Sequence, residues 1–85
     1  MTLSLNRSVM ERVSTRFTAD GHDLTLTRVE RNRSWNVTDN RSGAVVGKIT
    51  TRDGTRFTPR LSGGAVLPWG RSLQGAVYSI GRYIT

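Results

Sequence analysis

His22 is the one side chain in this sequence whose ordinary pKa lies near neutrality, so it is the first candidate for proton transfer or metal ligation. It stands in Gly21-His22-Asp23, a His-Asp pair in miniature. A metal would need two or three further ligands. Only Glu11, Glu30, Asp39 and Asp53 remain outside the Asp20-Gly21 turn to supply them, and there is no cysteine. Turn chemistry already accounts for Asp20 and Gly21, which makes His22 an exposed turn residue. The sequence also has no P-loop, nucleophile elbow or dinucleotide fingerprint. It therefore predicts a protein that is not an enzyme and uses neither a cofactor nor a metal.

Charge offers a different chemistry. Thirteen basic residues against six acidic ones leave a formal charge of +7 on 85 residues, which points to acidic partners. Twelve of the thirteen are arginine, suited to bidentate pairing with phosphate or carboxylate, although GC-rich coding yields the same bias. Asp53 is the last acidic residue, so Arg56, Arg60, Arg71 and Arg82 follow it unopposed. The nucleic-acid candidates are Arg33, Asn36, Lys48, Arg56 and Arg60. Guanidinium and ammonium groups would meet phosphates or guanine edges, and Asn36 could read adenine. A second set, Trp69, Arg71, Tyr78 and Tyr83, would serve a protein partner instead. Trp69, between Pro68 and Gly70, has two readings: a staple packed under a sheet, or an exposed anchor beside Arg71.

These residues need a scaffold. Residues 1–12 fit one helical face through Leu5, Val9 and Val13, or a strand through Leu3 and Leu5, and a flexible or partner-dependent arm is equally open. From Val13 the alternation of Val13, Thr15 and Phe17 with Ser14, Arg16 and Thr18 has the period of a half-buried strand. Asp20-Gly21 marks a turn, and Leu24 and Leu26 continue on a second strand. The pattern slips at Arg28 and Val29, where a bulge or strand end is expected. Ser34 to Thr38 reads as a strand with Trp35 and Val37 on one side. Asp39 to Gly43 is a turn. Ala44 to Thr51 follows, with Val45 and Ile49 sharing one parity and Gly47 allowing a bulge or the close approach of Trp35.

Asp53-Gly54 predicts a type I′ hairpin joining Lys48–Thr51 to Arg56–Leu61. Pro59, which has no N–H to donate, places that last strand at an edge. Ser62-Gly63-Gly64 begins a loop. Ser72 is the expected cap of a helix whose apolar stripe is Leu73, Ala76, Val77, Ile80 and Ile84. Gly75 and Gly81 each cost that helix about 1 kcal/mol relative to alanine, so it depends on docking.

The expected fold class is therefore α+β: one domain over 1–85 with an antiparallel sheet of four to five short strands packed against a single C-terminal α-helix. Trp35, Val37, Val45, Ile49 and Phe57 would face the helix. Ser34, Asn36, Thr38, Lys48, Thr50, Arg56, Thr58 and Arg60 would form the opposite, basic face. A one-sided sheet always presents a solvated polar face, so basicity alone supports only nonspecific binding. The order from Trp35 through Gly47-Lys48-Ile49 and Asp53-Gly54 to Ser72-Leu73-Gln74-Gly75-Ala76-Val77 resembles the three-stranded sheet plus helix of AP2-like and integrase arm-binding domains. That resemblance covers roughly residues 28–84 and rests on layout. It implies a sheet entering the DNA major groove, with Arg33, Asn36, Lys48, Arg56 and Arg60 by position. The strands before Arg28 and the long Ser62–Gly70 loop depart from that plan. The arginine-rich style is also similar to that of small accessory proteins of actinobacterial phages.

The reading that follows is a DNA-binding module. Its alternative is a protein-binding module with a host protein as partner, or a self-associating homo-oligomer subunit. Met1 to Val13 lacks the apolar run of a signal peptide, and the chain nowhere has the ~18 continuous apolar residues of a membrane span. A cytoplasmic location without membrane contact is expected, in the host cytoplasm if the gene is phage-borne. The Asn-x-Ser/Thr triplets at Asn6, Asn32, Asn36 and Asn40 would then have no route to glycosylation.

Overall fold

The computed structural model describes residues 14–31 and 33–84. The N-terminal arm, Val13, Asn6 and Asn32 of the sequence reading lie outside them. The elements are β1 (Ser14–Ala19), β2 (His22–Glu30), β3 (Ser34–Asp39), β4 (Val45–Thr51), β5 (Phe57–Leu61) and α1 (Leu73–Tyr83). Each strand pairs antiparallel with its chain neighbour, in the order β1-β2-β3-β4-β5. This is an α+β fold, a five-stranded meander with one C-terminal helix on one face. No described helix is long and apolar enough to cross a membrane.

Leu24, Leu26, Trp35, Val37, Ile49 and Phe57 are buried on the helix side of the sheet, where they meet Leu73, Ala76, Val77 and Ile80 of α1. Trp35 and Phe57 pack as a tilted aromatic pair with centroids 6.1 Å apart. Ser72 caps the helix, its Oγ accepting the Gly75 N–H at 3.0 Å. The stripe read from the sequence is thus the docking face, with Ile84 as the C-terminal cap rather than a helical residue. The slip expected after Arg28 is present as a register shift between Arg28 and Glu30.

Four expectations are corrected. The type I′ turn is not at Asp53-Gly54, where only Gly54 has positive φ. Thr51 pairs with Phe57 across a longer loop, in which Asp53 Oδ1 accepts the N–H groups of Thr55 and Arg56 and Thr51 Oγ1 accepts that of Gly54. Asp20 and Gly21 meet the type I′ requirement instead, with φ of 50° and 80° inside the Ala19–His22 pair. The side chain of Val45 does not join the core. A second register shift, between Val37 and Thr38, sets Val45 opposite Thr38 on the polar face, half exposed, and lets Val46 pack inward. Gly47 does border a bulge, the first of its two readings, but the groups that approach it are Ile80 and the Arg60 carbonyl rather than Trp35. Finally, Ser34 lies on the polar face by register yet is buried, and its Oγ has no hydrogen-bond partner.

β5 is the last strand, as Pro59 requires, but its outer side is not bare. Residues 65–70 fold back along it, with Leu61 N–H donating to the Ala65 carbonyl, Leu67 N–H to the Pro59 carbonyl, and Phe57 and Gly70 exchanging both bonds. The covering segment brings Trp69 to the sheet.

Candidate nucleic-acid interface

Cross-strand neighbours on one sheet face lie about 4.5–5.5 Å apart at Cβ, so the register dictates which polar residues meet. Ser14, Thr27, Asn36, Lys48 and Arg60 are successive partners and make one row across all five strands. Ser34, Thr50 and Thr58 make a second row over β3 to β5. The Phe57–Gly70 bridge continues it, setting Trp69 beside Thr58 on the polar side. Lys48, Thr50 and Arg60 are exposed and Asn36 is half-buried.

Three of the five sequence candidates therefore converge: Asn36, Lys48 and Arg60 are consecutive members of one row. Arg33 does not join them. It is exposed on the β2–β3 connection, its carbonyl accepting the Thr51 N–H. Arg56 also leaves the row, because it precedes β5 and its guanidinium stacks on Trp69, 4.8 Å from the ring centroid. Stacking of this kind holds a cation beside a π face without neutralising it. Trp69 is 48% exposed, which decides between its two readings. It is a surface residue, not a staple.

Beside this pair lies an open depression of about 460 Å³ lined by Thr50, Thr51, Arg52, Asp53, Arg56 and Thr58. Arg52 was missed by the sequence reading. Its proximity depends on the loop conformation set by Asp53, which the assumed two-residue turn would not produce. No carboxylate occupies the polar side of β3, β4 or β5. Two β2 carboxylates share this face by register: Glu30, opposite Ser34 beyond the bulge, and Asp23, at the other end of the strand. Asp23 is engaged by Arg16, whose Nε donates at 2.8 Å, and by Asn40 Nδ2 at 3.0 Å. Asn40 Oδ1 in turn accepts the Thr25 hydroxyl.

Hydrogen bonds from Arg16 and then Asn40 hold the Asp23 carboxyl at about 2, below its usual 3.8. Asp53 is likewise held at about 2, by the N–H and side chain of Thr55 and the N–H of Arg56. Both values are depressed on folding. Their stabilisation is complete above the ordinary carboxylate pKa and is lost as pH falls through the folded one. The melting temperature should therefore drop between about pH 4 and pH 2, and Asp23→Asn with Asp53→Asn should flatten that drop. A double variant retaining the full acid sensitivity would refute this assignment.

The alternative partner-binding set is dispersed. Trp69 belongs to the border of the polar face, and the helix packs on the other face. Tyr78 and Tyr83, five residues apart on α1, point about 140° from each other, and both are exposed. Tyr78 shares its flank with Gln74, whose amide donates to Tyr78 Oη at 3.1 Å. Arg71 is exposed on the segment leading into the helix. His22 sits opposite Ala19 at the β1–β2 turn, and no group of three or more metal-ligating side chains forms among the described residues.

In comparisons with known families, curated proteins and solved structures, no match to this chain was found.

Proposed function

We propose that this domain is a non-enzymatic DNA-binding module that uses the polar sheet face, with Lys48 and Arg60 as its phosphate contacts and Asn36 beside them. One observation carries the reading. Lys48 and Arg60 are direct cross-strand partners, an arrangement of like charges that destabilises a sheet. Neither is paired with a carboxylate among the described residues. A polyanion laid along the row would turn this internal cost into binding energy through counterion release.

The test is fluorescence anisotropy with labelled single-stranded and duplex oligonucleotides over a range of salt concentrations. Binding should weaken steeply with salt. Lys48→Gln plus Arg60→Gln should lower affinity and reduce the slope of log K against log salt by about 2. Arg56 is left out of the pair because its guanidinium is stacked on Trp69. Absence of binding to either oligonucleotide at low salt would overturn the proposal.

A further inference from the structure

The same face carries features that discriminate between forms of DNA. We infer that its ligand is single-stranded DNA, with an unpaired base stacked at Trp69, an inference that rests on the DNA-binding reading above. The first argument is width. Five strands at about 4.8 Å spacing make the face about 19 Å across. A B-DNA major groove, about 12 Å wide, admits a helix or a two-stranded ribbon. The row of Ser14, Thr27, Asn36, Lys48 and Arg60 spans the full sheet, so a duplex cannot engage the whole row through its groove. A single strand can lie along it.

The second argument is the aromatic at the end of the track. Nonspecific single-strand binding combines a basic path for the backbone with an aromatic platform for bases. Lys48 and Arg60 supply the path, and Trp69, half exposed with Arg56 stacked on it, supplies the platform. Duplex bases are already stacked and cannot use it. The adjoining depression has room for a base, and it offers Arg52 to a flanking phosphate. Asp53, which also lines it, is occupied by the backbone N–H groups of Thr55 and Arg56.

The third argument concerns base identity. Thr50 and Thr58 are cross-strand partners at the rim of the same depression. Threonine methyl groups make apolar contact with the C5 methyl of thymine, which uracil lacks. The occupant is therefore thymine-bearing DNA rather than RNA.

Tryptophan fluorescence reads this directly, because Trp35 is buried and Trp69 is the exposed indole. Oligo-deoxythymidine should quench the emission and bind more tightly than a duplex of equal length at the same salt. Trp69→Ala should abolish the quenching and weaken single-strand binding about tenfold, and Trp69→Phe should recover most of that affinity. Duplex binding as tight as single-strand binding, or unchanged oligo-deoxythymidine affinity in Trp69→Ala, would overturn the inference while leaving the DNA-binding reading intact. Equal affinity for oligo-uridine would overturn the assignment to DNA. Loss of the parent reading has a separate signature: no salt-sensitive binding of any of these oligonucleotides by the unaltered protein.

Discussion

Trp35→Ala should abolish the cooperative thermal transition, or lower it so far that the domain is largely unfolded at 37 °C. Trp35 is 1% exposed and is the largest fully buried side chain. From the centre of the sheet it fills the space between β3, Phe57 and the helix. Truncating a buried tryptophan to alanine costs about 3–5 kcal/mol, part of it for the cavity left behind. A domain of this size has a total stability near the low end of about 5–15 kcal/mol, so one substitution consumes most of it. Trp35→Phe should cost clearly less. It keeps an aromatic ring against Phe57, and it removes an indole N–H that is buried without a hydrogen-bond partner, relieving a desolvation penalty of about 1–3 kcal/mol. Circular dichroism melting of the two variants decides the matter. An alanine variant melting within a few degrees of the parent would show that the Trp35 site can collapse.

Gly81→Ala should destabilise the domain even though alanine favours an isolated helix by about 1 kcal/mol. A Cβ at Gly81 would lie 2.7 Å from Ala19 Cβ and 2.8 Å from the Ala19 carbonyl oxygen. The oxygen belongs to the backbone of the β1–β2 hairpin and cannot rotate away, so the helix must lift from the sheet. Overpacking of this kind costs about 1–3 kcal/mol, and each kcal/mol lowers the melting temperature of a domain this small by about 4–8 °C. Gly47→Ala should behave similarly, because its Cβ would approach the Arg60 carbonyl oxygen and Ile80 Cδ1, each to 2.9 Å. Gly75→Ala is the control. Its close neighbour is the Ser72 hydroxyl at 3.0 Å, a side chain able to turn, so its loss should be smaller. Ala19→Gly should rescue Gly81→Ala only in part, since the carbonyl contact persists. A Gly81→Ala protein that melts higher than the parent would refute the close-approach account.

The two glycines illustrate why packing was only partly legible. In the sequence, Gly75 and Gly81 are equivalent penalties within one helix. In the structure Gly81 is where α1 touches the β1–β2 hairpin, more than sixty residues away along the chain. Nothing local to Gly81 encodes that contact. Val45 shows a similar limit for strands. Its parity with Ile49 is correct by counting, but one extra residue at the shift between Val37 and Thr38 reverses the faces for everything beyond it. The earlier slip at Arg28 was visible because a charged residue fell where an apolar one was due. Val45 and Val46 are both valine, so the hydrophobic pattern does not place the shift, and Gly47 beside them marks only that a bulge is allowed.

The candidate site divides in the same way. Asn36, Lys48 and Arg60 were recoverable from alternation because they lie in the regular parts of three paired strands. Parity also places Arg56 on that face, but the longer loop, organised by the Asp53 carboxylate, sets it over Trp69 at the border rather than in the row. The network of Arg16, Asp23, Asn40 and Thr25 was invisible, since it joins residues up to 24 positions apart.

By itself, then, the sequence determined the sheet closed by a C-terminal helix, the helical stripe with its Ser72 cap, the absence of cysteine and the excess of positive charge. Periodicity, capping chemistry and composition are local properties, and they survive without knowledge of the fold. Only the tertiary structure decided that Lys48 and Arg60 are direct partners, that residues 65–70 cover β5 and bring an exposed Trp69 to the basic face, and that Gly47 and Gly81 are points of close approach. Those outcomes depend on register and on distances between remote segments, which are set by how the whole core packs.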